Sequence, residues 1–139
     1  MIFNDYLVLK NAYAAWGRGD LATLESCFAP DLRFDVPASA TARSYIGSGV
    51  GRHLLVARLR NFLAPYEVKR FKPISAFPTE HGIEFRVQYD YRSKATGLDV
   101  QGTQRHLWTV SGNEITTFTV VHDARLLAAF FDLTEPLSV

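Results

Sequence analysis

Cysteine is nearly absent from this sequence: Cys27 stands alone among 139 residues. One thiol cannot close an internal disulfide, build a thiolate cluster or form a CxxC pair, so a reducing compartment is expected. An excess of one charge is missing too. Fifteen Lys and Arg face fourteen Asp and Glu, a formal net charge of +1. That balance argues against a dedicated nucleic-acid binder, which needs a basic excess or stripe, and against an acidic or disordered tail. No apolar run approaches the ~20 residues of a membrane span. The opening residues, Met-Ile-Phe-Asn-Asp, lack the basic and apolar regions of a secretory signal. A cytoplasmic protein with no membrane partner is therefore expected. No HExxH run or Ser-His-Asp order appears, and Gly47-x-Gly49-x-Gly51 has neither the spacing nor the βαβ setting of a dinucleotide fingerprint.

What the sequence does have is aromatics: ten Phe, six Tyr and two Trp, 13% of the chain. The length suits one domain over residues 1–139. Phe3, Tyr6, Leu9, Tyr13 and Trp16 recur at helical spacing and form one apolar stripe, ended by Gly17 and Gly19. Asp20 is placed to cap a short second helix, stopped by Ala29-Pro30-Asp31. Leu32 to Val36 alternates as a half-buried strand. Pro37 to Gly51 reads as a surface loop or pocket lid. Arg52 to Leu63 reads as a third helix with Leu55, Leu59 and Phe62 inward. Four long extended segments follow at 66–77, 82–93, 99–110 and 114–122, with Pro73 marking an edge or a bulge in the first. A short apolar helix, 124–131, closes the chain, with Asp123 as its cap. Helices segregated from an antiparallel sheet make an α+β domain.

The last hairpin turns tightly at Ser111 to Asn113. Pairing Val110 with Glu114 sets Gln104, His106 and Trp108 opposite Val120, Phe118 and Thr116, with Gly102 opposite His122, all on one face. Ile115 then falls on the other face. Phe85, Tyr89 and Tyr91 of the preceding strand are expected to join the His106 face and form one concave aromatic surface. On that register His106 and His122 stand too far apart to share a metal ion. A bent sheet facing helices, with Gln and His among aromatics, describes a small-molecule pocket; the same aromatics equally describe a core. His53 and His81, at a helix start and a turn, are expected to be exposed. Lys69, Arg70 and Lys72 read as a solvated strand edge.

Four segments, Tyr13-Ala-Ala-Trp-Gly-Arg-Gly-Asp20, Phe28-Ala-Pro-Asp-Leu-Arg-Phe34, Trp108-Thr-Val-Ser-Gly-Asn-Glu-Ile115 and His122-Asp123, appear in an order that resembles the nuclear transport factor 2-like superfamily. The nearest branch resembled is the SnoaL-like polyketide cyclases and ketosteroid isomerase-like proteins. The resemblance implies a cystatin-like, cone-shaped α+β barrel: a strongly bent antiparallel sheet wrapped around N-terminal helices. It also implies an internal pocket and a homodimer through the sheet's outer face. Ketosteroid isomerases carry a base Asp directly before a proline closing the first strand. Here Val36 precedes Pro37, and Asp35 should point the opposite way. Their helix tyrosine falls at Ala12, one residue from Tyr13, and their protonated Asp at His106. A steroid isomerase reaction is therefore not expected.

SnoaL-like cyclases place an acid/base carboxylate before the terminal helix, where Asp123 stands, although capping alone also explains an Asp there. The resemblance thus implies Asp123 as general acid/base, with His106 or His122 orienting a carbonyl. Tyr13, Trp16, Phe34, Tyr89, Gln104, Trp108 and Phe118 would contact the ligand. No metal and no cofactor is expected, and the partner would be a small apolar molecule. The alternative is a non-catalytic ligand-binding or dimeric interaction module of the same fold.

Overall fold

The computed structural model describes residues 2–36 and 46–121. The helix stripe at the N-terminus becomes α1 (Ile2–Gly17), which buries Leu9, Ala12, Tyr13, Ala15 and Trp16 along one side. It ends where expected: Gly19 takes φ +72°, its N–H reaches the Trp16 carbonyl (3.0 Å), and the Asp20 N–H reaches Ala15 (2.9 Å). These two hydrogen bonds satisfy carbonyls that a helix end otherwise leaves open. Asp20 then caps α2 (Leu21–Ser26), its carboxylate accepting from the Thr23 N–H at 3.1 Å and the Thr23 hydroxyl at 2.6 Å.

The first strand, β1 (Phe28–Val36), begins at Phe28 instead of Leu32. Ala29-Pro30-Asp31 lies within it rather than separating it from the helix. Residues 47–50, expected as loop, form β2 (Gly47–Val50), antiparallel to β1. Three contacts explain why so glycine-rich a segment holds as a strand there. Gly49 sits opposite Phe34, and a Cβ on it would come within 2.7 Å of the Phe34 ring. Arg58 donates to the Ile46 and Ser48 carbonyls (2.7 and 3.1 Å) while its guanidinium lies over Phe34. The Gly51 N–H closes on Leu32 at 2.7 Å. The third helix, α3 (Arg52–Leu63), has the bounds its sequence predicts and buries Leu55, Val56 and Leu59.

Four strands follow: β3 (Tyr66–Thr79), β4 (Gly82–Ser93), β5 (Asp99–Ser111) and β6 (Glu114–Val121). The sheet order is β2-β1-β6-β5-β4-β3. It is an open sheet with two edges, and it is mixed rather than wholly antiparallel, because β1 pairs parallel to β6. No local pattern announces that pairing; it arises because the first and last of these strands lie side by side. β3 is an edge strand, exposed over most of its length, with irregular register beside Pro73, and Lys69, Arg70 and Lys72 are solvated.

The hairpin register differs from the expected one by two residues. Trp108 faces Phe118 and His106 faces Val120, with an irregularity between Thr109 and Val110. The inner face of β5 survives, since a two-residue slip preserves sidedness. On β6, however, Ile115 turns inward and is fully buried. Thr116 is only half-buried and bonds the Thr109 hydroxyl at 2.8 Å. The join between β4 and β5 is as expected, with Phe85 opposite His106 and Tyr89 opposite Gly102. The helices and the inner sheet face enclose the main core; Tyr66, Tyr89, Tyr91 and Val100 form a second cluster beside it. Among the described residues, no helix is long and apolar enough to cross a membrane.

Candidate functional site

The inner faces of α1 and β5 bring three polar side chains into the main aromatic core. His106 is completely buried, Gln104 nearly so, and Tyr13 reaches them from the helix. The Tyr13 oxygen lies 2.7 Å from His106 Nδ1 and accepts the Trp108 indole N–H at 2.9 Å. On the other side of the ring, His106 Nε2 lies 3.0 Å from Gln104 Oε1. Since Gln104 Oε1 can only accept, Nε2 donates to it, and in the neutral imidazole Nδ1 is then the acceptor. The chain therefore has a direction: Trp108 N–H to Tyr13 oxygen, Tyr13 O–H to Nδ1, Nε2–H to Gln104. Each link satisfies a group whose burial alone would be costly.

Burial holds the Tyr13 phenol well above its ordinary range, opposed only in part by the Trp108 N–H. Tyr13 is thus a neutral hydrogen-bond donor at physiological pH. Aromatic rings surround the chain. Tyr13 lies nearly parallel to His106 (centroids 5.8 Å, 11°), and Phe118 meets His106 edge-on at 5.3 Å and stacks on Trp108 at 4.1 Å. Trp16 stacks on Phe71 at 4.6 Å. Its indole N–H is buried and, among the described residues, has no acceptor. Over Tyr13, where α1 faces β3 and β4, lies an apolar groove of about 440 Å³ lined by Tyr6, Lys10, Tyr13, Ala14, Pro73 and Phe85.

Of the residues singled out in the sequence, Tyr13, Trp16, Gln104, His106, Trp108 and Phe118 converge in this core. Phe34 is buried in the same cluster, under Arg58. Tyr89 stands apart in the second cluster, stacked on Tyr91 at 5.2 Å. His122 and Asp123 lie outside the described residues. Asp35 is exposed and accepts from the Ser48 hydroxyl at 2.6 Å, so it faces away from the core as expected. His53 and His81 are exposed; His53 contacts Glu25. The link the sequence reading missed is the one from Tyr13 to His106. Tyr13 reads as a wall in an apolar stripe, and its only other signal is standing one residue from the isomerase tyrosine position.

Residues 9–118 match the family described as SnoaL-like domain. No curated protein matches the chain. Among solved structures, a nuclear transport factor 2-like protein of unknown function from Burkholderia pseudomallei is 19% identical. The match covers 96% of this chain and 98% of that one, with a TM-score of 0.79. TerC, co-crystallised with polyporic acid, is 16% identical over 96% of this chain and 99% of its own, also with a TM-score of 0.79. A Catenulispora acidiphila protein with a ketosteroid isomerase-like fold, in complex with trimethylamine, is 18% identical. That match covers 88% of this chain and 92% of that one, at a TM-score of 0.71. These identities carry the fold.

Proposed function

The chain belongs to the SnoaL-like domain family, and from that premise we propose that it binds a small, largely apolar, carbonyl-bearing molecule and turns it over by acid/base chemistry without a cofactor. The observation that carries the reading is the buried chain Trp108–Tyr13–His106–Gln104. A core that only had to be filled could be apolar at these positions; a directed polar chain in a dry interior gains little over well-packed apolar residues, and such departures from an apolar core concentrate at functional sites. A fold relative co-crystallised with polyporic acid is in keeping with a small-molecule ligand.

In this mechanism Asp123 removes a proton from the carbon next to the carbonyl and returns it elsewhere on the conjugated system. The carbonyl oxygen gains negative charge as that proton leaves. Tyr13, kept as a neutral phenol, turns its one O–H from His106 Nδ1 to that oxygen, with Trp108 steadying the phenol oxygen. His106, and His122 beside Asp123, orient the carbonyl. Phe34, Phe118 and Tyr89 complete the apolar lining, and a homodimer through the outer face of the sheet belongs to the same proposal.

A second reading is favoured by one observation: both ring nitrogens of His106 are already engaged. On that reading the chain only braces a ligand-binding module. Asp123→Asn and His106→Ala proteins, assayed with wild type on β-keto and enone substrates, separate the two. The enzyme reading expects turnover by wild type and at least a hundredfold loss in Asp123→Asn. No turnover by wild type, with unchanged ligand affinity in both variants, leaves only the binding module.

A further inference from the structure

The core holds two tryptophans, and only one is satisfied. Trp108 donates its N–H to Tyr13 at 2.9 Å. Trp16, on the same helix as Tyr13 and three residues on, is more than nine-tenths buried, yet its N–H has no acceptor among the described residues. Its surroundings are rings: Phe71 stacked at 4.6 Å, Phe118 edge-on at 6.0 Å, and His106 at 6.1 Å. His106 offers Trp16 no lone pair, because Nδ1 faces the Tyr13 hydroxyl and Nε2 carries its proton toward Gln104. A buried indole N–H almost always finds a partner. A position that only filled the core would be served as well by Phe, which has no donor to strand.

We infer that the Trp16 N–H is a ligand donor, and that the molecule bound is one that brings an oxygen acceptor to it. The inference rests on the small-molecule reading above and adds a specificity-determining residue to it. The oxygen would be recognised by a donor that is independent of the Tyr13–His106 chain. The Trp16 N–H is in place whether or not the Tyr13 O–H leaves His106. Trp16 distinguishes an oxygenated ring system from its hydrocarbon counterpart, because only the oxygenated one satisfies the stranded N–H.

Two probes of one skeleton test this: 1-tetralone, with an aryl ketone, and tetralin, with CH₂ in its place. Titration calorimetry on wild type is expected to show about a tenfold preference for tetralone, equivalent to about 1.4 kcal/mol. Trp16→Phe keeps a ring and loses the N–H; its preference for tetralone over tetralin is expected to fall to within twofold. In ¹⁵N-labelled wild type, the Trp16 indole resonance should move downfield with tetralone, and the Trp108 resonance should not. A preference that survives Trp16→Phe, or a Trp16 resonance indifferent to tetralone while it is bound, overturns the inference alone. If folded wild type binds neither probe, the small-molecule reading fails and the role of Trp16 falls with it. Should Trp16→Phe not fold, the wild-type resonance decides.

Discussion

Tyr13→Phe removes one oxygen from the centre of the molecule and nothing else. The ring keeps its contacts with Phe85 at 4.9 Å and Trp108 at 5.6 Å. Two groups lose their partner: the Trp108 N–H at 2.9 Å and His106 Nδ1 at 2.7 Å. Both side chains have zero exposure, so water cannot replace the oxygen. An orphaned buried group costs ~1–3 kcal/mol, which puts the substitution at about 3 kcal/mol. In urea, with a slope of about 2 kcal/mol per molar, the midpoint should fall by about 1.5 M with the slope unchanged. Tyr6→Phe, half-buried on the same helix, is the control and should stay within about 0.5 kcal/mol. A double-mutant cycle sharpens the reasoning. His106→Leu orphans the Tyr13 O–H and Gln104 Oε1. The two single variants thus strand four groups in all, whereas the double variant strands only Trp108 and Gln104. The double should fall short of the sum by about 3 kcal/mol. A Tyr13→Phe midpoint within about 0.25 M of wild type, or strict additivity in the cycle, refutes the buried chain as described.

Two further predictions concern the frame around the site. Gly102 lies opposite Tyr89, and an added Cβ would stand 2.5 Å from the phenol oxygen. Gly102→Ala, which should help an open strand, is expected to cost about 1–3 kcal/mol here; a raised melting temperature would contradict it. The Thr23 hydroxyl and backbone N–H hold the Asp20 carboxyl below the usual carboxylate range. Its contribution is therefore present above its unfolded value of about 4 and lost as pH falls through the lower folded value. The melting-temperature gap between wild type and Asp20→Ala should be full at neutral pH and close in acid below about pH 4. A gap that persists unchanged into acid contradicts the cap.

The elements that sequence alone makes legible are those whose cause is local. α3 has its predicted bounds because its apolar spacing and the flanking Gly51 and Ala64-Pro65 all act within a few residues. The β4 face is legible because Ile83, Phe85, Val87, Tyr89 and Tyr91 alternate without a break. What was hidden depends on distant partners. β2 is a strand because Phe34 fills the space beside Gly49 and Arg58 holds its carbonyls, although glycine-rich residues argue against a strand. The hairpin register slipped because one irregularity at Thr109 and Val110 is invisible in a count of residues. Trp16 and Trp108 are the same residue type on equally apolar faces, and only the fold shows that one is satisfied and the other stranded. The partner of Tyr13 is hidden for a plainer reason, the length of chain between it and His106.

That separation, 93 residues, sets a timetable for synthesis. Tyr13, Trp16 and their stripe leave the ribosome first, but nothing local can cover them. The hydrogen-bond partners of Tyr13 lie on β5, and the rings that cover the stripe are spread from β3 to β6, toward the far end of the described chain. At ~5–20 residues per second, α1 waits roughly 5–20 s before His106 has even been made. Through that interval the nascent chain displays an amphipathic helix with an aromatic side, and long-range pairing of this kind is slow to close even afterwards. The interior that the finished protein encloses is also the surface that the unfinished protein must keep from sticking.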